Sequence, residues 1–159
     1  MSSNAVDNAK VWLGTPYHHQ ARVRGVGVDC AMLLCEVFEH AGMIPHIDPR
    51  PYPPDWHLHR SEERYLGWIK KYADPLPDGE YPQPGDVVLY KFGRTVSHAG
   101  IVIDWPMIIH AYRGQGCVMS EGDRGELGGR IAGFFRVRTK GEGLSPKSAA
   151  LSPAAKGDS

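Results

Sequence analysis

Residues 97–112 read Ser97-His98-Ala99-Gly100-Ile101-Val102-Ile103-Asp104-Trp105-Pro106-Met107-Ile108-Ile109-His110-Ala111-Tyr112. Two apolar runs flank Asp104-Trp105-Pro106. Pro106 cannot donate a ladder hydrogen bond, so the pattern predicts a β-hairpin that turns over those three residues. Each run carries one strongly polar residue, His98 or His110, and that needs a reason. A histidine on the solvent side of a strand is the plain one. The spacing offers another. Residues an even number apart in an antiparallel hairpin share a face only if the loop is odd or a bulge corrects the parity. With the three-residue loop, Ile103 pairs with Met107 and His110 falls opposite Gly100, which leaves open space beside it. His98 then lies diagonally next to His110, within about 5–8 Å. One imidazole can act as a base while the other holds its ring in the right tautomer. A two-residue loop would put them on opposite faces.

Outward from the hairpin, residues 86–92 and 131–138 are also short, apolar and bounded by turn residues, and read as strands. Upstream the period is helical. Residues 5–13 carry Val6, Ala9 and Leu13 at helix spacing and stop at Gly14-Thr15-Pro16. Asp29 opens a second helix with Leu33, Leu34, Val37, Phe38 and Ala41 on one face, closed by Gly42. Cys30 shares that inward face. A third helix follows a proline-rich loop, with Ser61 as N-cap and Tyr65, Leu66, Trp68 and Ile69 as apolar contacts. Helices first and antiparallel strands after predict an α+β fold. The domain spans 1–139, and the Ser-, Ala-, Gly-, Pro- and Lys-rich segment 140–159 reads as a disordered tail.

Eighteen basic residues balance eighteen acidic ones, which argues against a nucleic-acid partner or a charged membrane surface. No stretch reaches the ~20 apolar residues of a membrane span. The start of the chain lacks the apolar run of a signal peptide, so the expected product is made in the cytoplasm and exported, if at all, by another route. Three cysteines, Cys30, Cys35 and Cys117, form no C-x-x-C pair, and neither a disulfide framework nor a metal site is expected. His57 and His59 are two apart but lack a third ligand nearby in sequence. Cys35 and Cys117 read as small buried apolar residues. Cys30 differs because it sits in the first turn of its helix, where unpaired N–H groups and the macrodipole favour a thiolate. A histidine within ~4 Å would complete a nucleophile and base.

Gly14-Thr15-Pro16-Tyr17, Gly27-Val28-Asp29-Cys30, Pro84-Gly85-Asp86-Val87-Val88, Ser97-His98-Ala99-Gly100-Ile101-Val102 and Ile109-His110-Ala111 occur in that order. Together they resemble the NlpC-type peptidoglycan cysteine peptidases. His19-Gln20 and the proline-rich insert containing Asp55-Trp56-His57-Leu58-His59-Arg60 are similar to the subgroup associated with tails of bacteriophages and prophages. The resemblance implies a papain-like fold, with N-terminal helices packed on a C-terminal antiparallel sheet. It also implies that Cys30 is the nucleophile, His98 the general base and acid, and His110 the orienting third member. Tyr17 matches a tyrosine near the thiolate, and Asp29 and Ser97 match positions lining the substrate cleft. The implied substrate is the peptidoglycan stem peptide, cut between γ-D-glutamate and a diamino acid without a cofactor, with phage tail proteins as further partners. Met32 departs from the pattern, since the family commonly has a small residue there, and is expected to crowd the cleft. Two other readings keep the fold: an acyltransferase or amidase, and a tail component with a vestigial site.

Overall fold

A computed structural model describes residues 2–51 and 62–138. The tail expected over 140–159, the Ser61 cap, Trp56, His57 and His59 lie outside these residues. In chain order the elements are α1 (Ser2–Lys10), β1 (Arg22–Val23), β2 (Gly27–Val28), α2 (Cys30–His40) and α3 (Glu62–Tyr72). They continue with β3 (Ala73–Pro75), β4 (Val87–Phe92), β5 (Thr95–Asp104), β6 (Met107–Tyr112), β7 (Gly116–Glu121) and β8 (Ile131–Val137). Strands β3 to β8 form one antiparallel sheet in the order β3-β8-β4-β5-β6-β7. The expected α+β architecture, helices on an antiparallel sheet, is the one observed.

The helix α2 is set by its ends. Asp29 is extended at the N-cap and its carboxylate accepts from the Met32 amide, a bond whose loss typically costs about 1 kcal/mol. At the other end Gly42, at φ +76°, donates to Glu39 O, and Met43 N reaches back to Phe38 O. Between the caps eight residues are buried, from Cys30 through Phe38. Ala31, Leu33, Leu34, Val37 and Phe38 join Val87, Leu89, Ala99, Ile101, Ile109 and Ala111 in the main core between helices and sheet. Met32 belongs to the same cluster and is fully buried. It therefore packs in the core, and the expected crowding of the cleft does not arise.

Alternate residues of the same strands, Val88, Tyr90, Val102 and Ile108, build a second apolar cluster on the sheet's other face, against Leu127, Trp105 and Phe134. Both faces are thus covered, which explains why β4 and β5 read as continuous apolar runs.

The hairpin reaches the expected register by a different route. Ile101 pairs with Ile109 and Val102 with Ile108, but Asp104, not Ile103, pairs with Met107. Ile103 is a bulge, and the turn is the two-residue pair Trp105-Pro106. A two-residue loop alone would have separated the histidines, and the extra residue restores the parity. Gly100 matters here for a reason other than the expected one. A Cβ on it would stand 2.6 Å from Ile108 Cδ1 and only in ordinary contact, 3.5 Å, with His110 Cβ.

Strand β7 was not expected from the sequence. It pairs with β6 along its whole length, from Met107↔Glu121 to Tyr112↔Gly116, and ties the sheet to the loop before α2. Gly14 N donates to Cys117 O and Cys117 N to Thr15 O. Gly116 sits at φ +84°, and a Cβ there would lie 2.8 Å from the Thr15 carbonyl oxygen. Backbone strain and a backbone clash act together, so Gly116→Ala is expected to cost about 3 kcal/mol. Urea denaturation should show a lower midpoint with an unchanged slope.

Candidate active site

Cys30 is the first residue of α2, with only 6% of its surface exposed. Its Sγ lies 3.8 Å from the Ser97 carbonyl oxygen on β5, and the Tyr65 hydroxyl of α3 donates to it from 3.5 Å. The backbone amides of Ala31 and Ala99 also favour its anion. Burial dominates, however, and with the neighbouring Asp29 carboxylate it pushes the thiol up to about 12. The helix terminus was expected to yield a ready thiolate. In the resting molecule desolvation wins, and Cys30 is a thiol.

His98 and His110 leave the same face of the sheet. Nε2 of His98 and Nδ1 of His110 are 2.8 Å apart, and the His98 ring centroid is 5.0 Å from that of His110 and 5.2 Å from that of Tyr112. Phe92 and Tyr90 enclose the His98 ring on its remaining sides. Burial holds the His98 pKa well below its usual 6.5, with His110 adding to the effect, and lowers His110 to about 4. Both rings are neutral at physiological pH. Among the described residues the Cys30 thiol is turned to Ser97 O rather than hydrogen-bonded to a His98 nitrogen. With Nε2 engaged, Nδ1 is the His98 nitrogen left open.

A further residue extends the pair. Ser120 Oγ on β7 stands 3.1 Å from His110 Nε2. If the hydroxyl accepts there, His110 Nδ1 is an acceptor, His98 Nε2 carries the proton and His98 Nδ1 has a free lone pair. Such a chain of donors and acceptors sets the tautomer of each ring. Ser120 was missed because β7 was missed, although Gly116-Cys117-Val118-Met119-Ser120-Glu121 follows the turn residues Arg113-Gly114-Gln115 closely enough to suggest a strand. Tyr65 was read only as a packing contact.

The expected cleft residues divide. Tyr17 is half-buried and bridges to Val28, two residues before Cys30, with the Arg113 guanidinium carbon 5.9 Å from its ring centroid. Burial raises its pKa, with Cys30 and Asp29 adding to the rise. Ser97 is half-buried and offers its carbonyl to the thiol. Asp29 departs from its expected place in the cleft lining. It is 2% exposed, with Oδ1 accepting from Met32 N at 2.9 Å and Oδ2 from Gln20 N at 2.6 Å. Its carboxylate holds the loop and the helix together from below the surface. Arg22, on β1, is also internal, its guanidinium paired with Glu36 at 2.6 Å.

These positions can be set against known proteins. A family model described as "NlpC/P60 family" matches residues 14–134. Among solved structures, the chain is similar to an NlpC/P60 family protein from Bacillus cereus ATCC 10987, with TM-score 0.64 and 19% identity over 87% of this chain and 40% of that one. It is also similar to NlpC1 from Trichomonas vaginalis, with TM-score 0.65 and 17% identity over 87% of this chain and 45% of that one. The chain thus spans less than half the length of either. The NlpC/P60 domain of the peptidoglycan hydrolase SagA matches at TM-score 0.57 and 14% identity, over 86% of this chain and 97% of that one. No curated protein matches the chain. At such identities the structures speak for the fold alone. The family model covers most of the chain, including the cysteine helix, the hairpin and the loop that joins them, and this chain belongs to the NlpC/P60 family.

Proposed function

We propose that this chain is a cysteine peptidase of peptidoglycan, hydrolysing the stem peptide between γ-D-glutamate and a diamino acid, with Cys30, His98 and His110 as its triad. The observation that carries the reading is the buried 2.8 Å contact between His98 and His110, one residue from the carbonyl that receives the Cys30 thiol. A neutral, oriented imidazole beside a thiol is the arrangement that acyl transfer requires. The description of SagA as a peptidoglycan hydrolase supports the substrate class.

In this mechanism the thiol turns from Ser97 O and gives its proton to His98 Nδ1 as Sγ attacks the substrate carbonyl carbon. His110 stabilises the imidazolium that forms. The tetrahedral intermediate collapses, His98 returns the proton to the leaving amine, and a thioester to Cys30 remains. Water, deprotonated by His98, then hydrolyses it and releases the carboxylic acid. Tyr17 and Ser97 border the substrate, and Asp29 contributes negative charge from below toward a free amino end. The long insert between α2 and α3 supports the tail-associated subgroup, acting on the wall from a phage or prophage particle.

Mass spectrometry of muropeptides tests the reading. Wild type should convert stem peptides to two fragments, and Cys30→Ala should leave them intact. His98→Ala should lose about 10³-fold or more in kcat/KM, because no proton shuttle remains. His110→Ala should lose about 10–100-fold, since Tyr112 and Phe92 still hold the His98 ring. Equal losses would exchange or merge the two roles. Intact stem peptide with wild type, together with transfer of acyl groups to another acceptor, would favour the acyltransferase reading.

The pH profile follows from the two shifts. A neutral thiol with neutral imidazole has the same proton count as the thiolate–imidazolium pair, so one macroscopic state is active. Its acid limit is His98 protonation, which lies well below 6.5. Its alkaline limit is Cys30 ionisation, pushed up to about 12. Values of kcat/KM should be flat from about pH 6.5 to 9, the ordinary range of the two groups. A narrow bell centred near neutrality would mean a resting ion pair instead.

A further inference from the structure

Tyr65 is 3% exposed, and its hydroxyl donates to Cys30 Sγ from 3.5 Å across 35 residues of sequence. Packing alone does not call for that hydroxyl. A phenylalanine would fill the same apolar space, beside a cavity that Tyr65 lines together with Ala31, Leu34, Phe38 and Trp68. We propose that Tyr65 is a fourth catalytic residue, its hydroxyl donating to the Cys30 sulfur and stabilising the thiolate as it forms; this rests on Cys30 being the nucleophile.

The argument is one of differential strength. A hydrogen bond to an ionised acceptor is roughly twice as strong as one to a neutral acceptor. The Tyr65 bond therefore favours thiolate over thiol, and more so in surroundings that exclude water. The groups facing the sulfur come from four places. Asp29, at the N-cap of α2, opposes its charge, as burial does. Tyr17, on the loop beside β2, has its own ionisation made harder by Cys30. From β5, Ser97 offers an acceptor that suits the thiol, and neutral His98 takes its proton during attack. Among the described residues, donors that favour the anion are the amides of Ala31 and Ala99 and the side-chain hydroxyl of Tyr65. For a sulfur this buried, beside a carboxylate, such a donor offsets part of the cost of ionisation.

The helix that supplies it follows the insert, whereas the other parts of the site come from α2, β5, β6 and β7. Placement of α3 against β5 thus completes the nucleophile's surroundings.

The experiment compares wild type with Tyr65→Phe, which removes one oxygen and keeps the ring. The rate of iodoacetamide alkylation of Cys30 is followed against pH, with peptide mass spectrometry separating Cys30 from Cys35 and Cys117. At each pH below the midpoint, Tyr65→Phe should be alkylated at Cys30 about tenfold more slowly than wild type, the equivalent of a tenfold change in the ionisation constant. The variant should also lose about tenfold in kcat of stem-peptide cleavage with KM unchanged, while its thermal midpoint stays within a few degrees. Superposed alkylation profiles would overturn the proposal, as would a loss seen in KM alone. The alkylation readout needs no substrate. A shifted profile in a protein that leaves stem peptide intact would uphold Tyr65 and reject the peptidase reading, whereas cleavage with an unshifted profile would do the reverse.

Discussion

The Asp29 carboxylate joins the loop that carries Tyr17 to the first turn of α2, alongside the backbone bonds between that loop and Val28. One oxygen stops the first turn of α2 from fraying by taking the Met32 amide, and the other takes the Gln20 amide from the loop that carries Tyr17. Because the group is almost wholly buried, neither bond competes with water, and losing one would remove a charge-assisted bond in the interior. The position of Cys30 at the head of the helix and of Tyr17 beside it both depend on this group. So does the electrostatic character of the site, since the charge that orders the backbone also makes the neighbouring thiol harder to ionise.

The histidines answer that difficulty from the opposite side. Their rings are enclosed by Tyr90, Phe92 and Tyr112, which strips them of water and keeps them neutral. A neutral imidazole can accept a proton, and a protonated one cannot. The burial that disfavours the thiolate therefore also preserves the base of the proposed mechanism, and the Ser120–His110–His98 chain together with the surrounding rings orients it. The site stores neutral partners and creates charge only when a proton moves between them.

Much of this was legible beforehand. The five motifs and their order indicated the fold, and the capping residue, the helix faces and the apolar runs of β4 to β6 follow from periodicity and local chemistry. Parity arithmetic correctly required His98 and His110 to share a face, but chose the wrong device. The hairpin satisfies it with a bulge at Ile103 rather than an odd loop, in a turn whose Trp105 packs against Phe134 on the far face. Local sequence does not contain that. Met32 was misjudged for a similar reason: which way a side chain leaves a helix is clear, and what it meets there is not.

What the sequence determined by itself is the chemistry available and the local frame: one cysteine at a helix start, two histidines in phase on adjacent strands, and an acidic residue where a cap was needed. These depend on spacing within a few residues, and backbone geometry converts spacing into direction. The tertiary structure alone decided the charge states and the partners from afar. Ionisation is governed by how much water is excluded, a property of the whole packed assembly. The donors and acceptors that tune the site, Tyr65 on α3 and Ser120 on β7, reach it across chain separations over which no local periodicity carries information.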